Sequence, residues 1–136
     1  MARTKEYAFS TVLNTSYEEA VSKVTEALKE EGFGVLTEID VKSTLKKKLN
    51  VDFRKYVILG ACNPPYAHRT LQTNLDVGLF LPCNVIVYEA DDKKVHVSAF
   101  NPMSALEVMK SKELEKIGQE VSEKLRRVID KVAQGK

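Results

Sequence analysis

Hydrophobic and polar positions change period along the chain, and each change marks an element. Residues 5–12 alternate weakly and carry the β-formers Tyr7, Phe9 and Val12, which predicts a first strand. From residue 17 the spacing lengthens, with Tyr17, Ala20, Val21, Val24, Ala27 and Leu28 recurring at helical intervals. Ser16, with Glu19 three residues later, supplies a capping box ahead of that face, and Gly32 can close its C-terminus. Residues 33–39 then read as a buried strand. Asp40 reads as the cap of a short helix whose buried face is Val41, Leu45 and Leu49, at i, i+4 and i+8.

The second half repeats the alternation of strand and helix. Residues 56–61 form an apolar run expected of a central strand, and Asn63-Pro64-Pro65 opens a helix over 64–73. Residues 85–89 and 95–100 are β-branched runs joined by Ala90-Asp91-Asp92-Lys93, short enough for an antiparallel hairpin. A helical turn after Asn101-Pro102 precedes a long helix with Leu114, Ile117, Val121, Leu125, Val128, Ile129 and Val132 on one stripe, and residues 134–136 are expected to fray. This order predicts an α+β fold: a single domain over residues 1–136, with a mixed sheet of about five strands. Two long helices should pack on one face, and shorter helices should sit between strands.

Composition sharpens this picture by exclusion. The chain has 136 residues, the size of one domain, with 43% hydrophobic and 29% charged residues, an ordinary globular balance. Its net charge of +2 creates no field that implies a nucleic-acid or membrane partner, and neither is expected. Lys42, Lys46, Lys47, Lys48, Arg54 and Lys55 are the most basic stretch, but they fill the positions a solvated helix face should carry. The opening residues 1–7 lack the apolar core of a signal peptide, and no run approaches the ~18 apolar residues of a membrane span. A cytoplasmic location is therefore expected, where two cysteines would be thiols.

Those cysteines sit in two similar segments, Ala61-Cys62-Asn63-Pro64-Pro65 and Leu81-Pro82-Cys83-Asn84, each at a strand boundary. Cys62 precedes a helix start, a position that favours a thiolate, although Pro64 and Pro65 remove two N–H donors there. His68 lies six residues on and is the candidate base for a Cys62 nucleophile. Cys62, His68, Cys83 and His96 would together supply zinc-type ligands if they converged, but their spacing matches no finger or ribbon. Asn63 and Asn84 can each offer an amide to a ligand or satisfy a local backbone group. Glu38 and Asp40 share one side of a strand and could act as paired carboxylates, with Asp40 also placed to cap a helix.

Three motifs carry a family resemblance across nearly the whole chain. They are residues 31–40, Glu-Gly-Phe-Gly-Val-Leu-Thr-Glu-Ile-Asp; residues 59–64, Leu-Gly-Ala-Cys-Asn-Pro, with Ala67-His68; and residues 81–85, Leu-Pro-Cys-Asn-Val. Together they resemble domain-of-unknown-function family 302. The resemblance implies a small bacterial or archaeal α+β domain, a homodimer, with these polar positions in one site. The leading expectation is a cytoplasmic ligand-binding or sensor module whose pocket is lined by Cys62, Asn63, His68, Cys83 and Asn84, with Glu38 and Asp40 as further candidates. Its ligand would be a small molecule or a metal, and no cofactor is specified. A thiol-dependent enzyme and a homodimeric interaction module are the alternatives.

Overall fold

The computed structural model describes residues 2–134, so Met1 and the expected fraying at Gly135 and Lys136 lie outside the described residues. Strands β1 (Arg3–Thr4), β2 (Ala8–Leu13), β3 (Gly34–Asp40), β4 (Tyr56–Cys62), β5 (Cys83–Glu89) and β6 (Val95–Phe100) form one sheet in the order β1-β2-β6-β5-β4-β3. The helices are α1 (Tyr17–Glu30), α2 (Val41–Leu49), α3 (Pro64–Thr73), α4 (Met103–Leu106) and α5 (Lys112–Ala133), with 3-10 turns at Leu75–Phe80 and Glu107–Met109.

The helix ends follow the sequence signals. Ser16 Oγ accepts the Glu19 N–H at 3.1 Å, starting α1. At the other end Gly32 takes φ +86°; its N–H reaches Lys29 O at 3.0 Å and the Phe33 N–H reaches Leu28 O at 2.9 Å. That is a Schellman close, in which the left-handed residue is cheap only as glycine. Ser111 caps α5 in the same way as Ser16 caps α1, by accepting the Leu114 N–H.

The α+β arrangement stands as expected, with α1 and α5 on one face. Alternation along β4, β5 and β6 turns Val57, Leu59, Val85, Val87, Val95 and Val97 toward these helices, where Val24, Leu28, Leu125 and Ile129 complete the buried core. Two details of the sheet differ from expectation. It has six strands, because Arg3 and Thr4 pair with Ser10 and Phe9, and every ladder is antiparallel rather than mixed. A helix between strands forces a parallel crossover only if the chain returns at the end opposite to the one it left. Here α2 and α3 each bring the chain back at the end it left, so β3/β4 and β4/β5 become antiparallel neighbours.

Two burial expectations are corrected. Phe33 is buried, but β3 itself is an edge strand with a bulge between Val35 and Thr37, and most of its side chains face solvent. Helix α1 reaches that edge with Tyr17 and Val21, beside Glu38 and Asp40, and leaves the rest of β3 open. Helix α2 starts as read, with the Ser43 N–H donating to Asp40 Oδ1 at 3.0 Å, yet it buries no residue and Leu49 is 65% exposed. Its apolar spacing stabilises a surface helix and leaves the core to α1 and α5. Among the described residues no helix is long and apolar enough to cross a membrane.

Candidate functional site

Antiparallel pairing brings the two cysteine segments to one end of the sheet. Cys62 ends β4, Cys83 begins β5, and Ala61 stands opposite Cys83, so the two cysteines are one residue out of register on neighbouring strands. Cys83 is buried, Cys62 is half-buried, and both are free thiols. They line one cavity with Asn63, roofed by α3 and the 3-10 turn at Leu75–Phe80 and walled by Ile117 and Val121 of α5. The space open to the centre of a water molecule is about 40 Å³, room for a small group and not for a drug-sized molecule.

Three polar side chains around this cavity donate to partners elsewhere. Asn63 Nδ2 donates to Glu31 O at 3.2 Å and lies against Gly32, so this amide ties the start of α3 to the Schellman turn of α1. Thr70 Oγ1 donates to Ala67 O at 2.8 Å, and the Tyr66 hydroxyl donates to Glu120 at 3.1 Å. What remains toward the interior is apolar: the rings of Phe33, Tyr66, Phe80 and Phe100, together with Leu81, Leu106 and the cysteines.

The electrostatics run against an activated thiol. Burial pushes the Cys62 thiol up, and burial followed by the nearby Cys62 pushes Cys83 up to about 11. A helix start was expected to favour the thiolate at Cys62. Instead Asn63 makes no side-chain cap, two prolines occupy the first helical positions, and desolvation penalises the charged form. His68 is exposed on α3 and takes no part in the cavity wall, so it is not placed as a base for Cys62.

The remaining candidates lie elsewhere. Asn84 faces away from the cavity beside Gly60, and His96 stacks on Tyr88 at 4.9 Å on the same sheet face. Glu38 and Asp40 occupy the opposite end of β3, next to Tyr17, whose hydroxyl is pushed up to about 12 by burial and then by Asp40, Glu18 and Glu38. Among the described residues no group of three or more His, Cys, Asp and Glu could hold a metal ion. Much of the basic stretch is used locally: Lys46 pairs with Asp52, Arg54 with Asp91 and Lys55 with Glu18. The aromatic wall and the two α5 residues went unread as site residues, because in sequence they look like any other core position.

Beside the cavity, Glu31 anchors α1 to α5. Its side chain is 10% exposed and meets Arg127 at 3.1 Å and Lys131 at 3.0 Å. Burial alone would raise this carboxyl, but hydrogen bonds from Arg127 and Lys131 outweigh it and hold the group below its ordinary value of 4.5. A carboxylate with a depressed folded pKa contributes stability that is present above the unfolded value and lost as pH falls through the folded one. Glu31→Gln should therefore lower stability at neutral pH and flatten its decline between about pH 5 and 3. Urea midpoints measured across that range check this, and parallel curves for the two proteins would refute it.

Comparison with known proteins places this geometry in a family. Residues 9–132 match the domain of unknown function DUF302. The fold superposes on the crystal structure of uncharacterized conserved protein DUF302 from Bacillus stearothermophilus with a TM-score of 0.85 and 32% sequence identity, covering 92% of this chain and 97% of that one. No curated protein matches the chain.

Proposed function

The chain belongs to the DUF302 family, and on that premise we propose that it is a binding module for a small apolar ligand, held in the cavity at the junction of Cys62 and Cys83. One observation carries the reading: the two cysteine segments meet at a cavity whose wall is mostly apolar, while Asn63, Thr70 and Tyr66 donate their hydrogen bonds elsewhere. A polar ligand would give up its hydration for a mostly apolar wall, whereas an apolar one would gain contacts along rings and branched side chains. The raised thiols belong to this reading as neutral, polarizable wall atoms. The two free thiols also support a reducing, cytoplasmic setting.

Benzene, with xenon as a smaller probe, tests it in solution, since apolar cavities take up both. Methyl resonances of Ile117, Val121, Leu106 and Val77 should shift saturably with added probe, while that of exposed Val12 should not. Shifts no larger at Ile117 than at Val12 with either probe would remove the proposal.

A further inference from the structure

The face of the sheet away from α1 and α5 bears Ser10 and Val12 of β2, His96 and Ser98 of β6, Asn84, Ile86 and Tyr88 of β5, Tyr56, Ile58 and Gly60 of β4, and Thr37 and Ile39 of β3. From β2 to β3 it carries no Lys, Arg, Asp or Glu, in a chain that is 29% charged. Tyr56, Tyr88 and His96 form a ladder across three strands, with ring centroids 5.3 and 4.9 Å apart and planes within 8°. Ser10 and Ser98 share a hydrogen bond of 2.8 Å beside it. We propose that this face is the interface of a symmetric homodimer, the two sheets stacking face to face.

Charge argues for a second copy over other occupants. Near a twofold axis each residue meets its own counterpart, so any charge there would oppose its like; at the middle of the face Ile86, Ser98, Tyr88 and Ile58 avoid this. A nucleic acid would find one cation on the face, Arg3 at the β1 edge beside Ser10, and none at its middle, and the ladder's rings are stacked on one another, leaving edges rather than slots for bases. Aromatic residues rich in contact area and poor in Lys, Glu and Asp are the composition of an interface centre, and stacking has already restricted these rings.

The area sets the strength. Five strands at ~4.8 Å spacing, each six or seven residues at ~3.3 Å, give on the order of 450 Å² of flat surface. Side-chain relief and the flanking exposed Leu36, Val51 and Phe53 extend this toward the ~600 Å² per copy at the lower edge of specific interfaces. A dimer in the micromolar range is the expected result.

Sedimentation equilibrium of the whole chain, from micromolar to submillimolar concentration, should show the mass rising from 15.3 kDa toward twice that value. Ile86→Lys, which places like charges across the axis, should weaken association by about 100-fold or more. Val12→Lys, at a position already 36% exposed and so safe for folding, should weaken it less. Val108→Lys, at a position 71% exposed and outside this face, should leave it unchanged. A wild-type chain that stays monomeric throughout would overturn the proposal. So would Ile86→Lys and Val12→Lys proteins of native circular dichroism that dimerise as tightly as wild type, or a Val108→Lys protein that loses the dimer.

Discussion

Ile117→Ala is expected to lower the unfolding free energy by about 2–5 kcal/mol and to tighten benzene binding at the same time. Ile117 is fully buried on the apolar stripe of α5 and forms one wall of the cavity at Cys62 and Cys83. Truncation removes three carbons from the core and joins the vacated space to the 40 Å³ already present, so relaxation of one wall cannot close the combined hole. The energetic loss is thus expected in the upper part of that range. Urea unfolding measures the first effect and methyl titration the second. A loss below about 1 kcal/mol would mean that the helices collapse over the site, and the space would then not be a rigid pocket.

Gly60→Ala should destabilise the fold by about 1–3 kcal/mol by the opposite route, overpacking. A Cβ at Gly60 would run into Thr37 Oγ1 on the paired strand and come within 2.8 Å of Pro82 Cγ. Thr37 sits on the exposed edge strand next to a bulge and can yield, but the proline ring has no rotamer to escape into. Thr37→Ala should therefore be nearly neutral alone and recover part of the loss in the double variant, a coupling readable from a double-mutant cycle. Additive effects would show that Pro82 alone sets the cost. A stable Gly60→Ala protein would mean that β4 and β5 approach less closely than described.

Which parts of the molecule could be read from sequence follows from what each signal encodes. Helices α1 and α5 were legible because caps and period act over a few residues: Ser16 and Glu19 start α1, Gly32 ends it, and the Leu114 to Val132 stripe marks the buried side of α5. Strand pairing was not, because Tyr56–Cys62 carries the same alternation whether its neighbours run parallel or antiparallel. The apolar β3 and α2 segments read as buried for the same reason, and only the sheet order shows that they lie at an edge.

The candidate site divides along the same line. The meeting of Cys62 with Cys83 rests on two look-alike segments at strand ends, which the pairing of β4 with β5 puts at one end of the sheet, both lining one cavity. His68, Asn84, Glu38 and Asp40 were linked to them by sequence proximity or family resemblance, and helix phase, strand face and strand direction separate them. At Cys62 burial outweighs the pull of the helix start, whose two prolines and non-capping Asn63 offer little to an anion.

The most direct measurement of the central claim is a crystal of this chain under xenon pressure. The account predicts an anomalous peak in the space bounded by Cys83, Tyr66 and Ile117, with both cysteines at its wall. No peak there, or density placing Cys62 and Cys83 in separate surroundings, would contradict it.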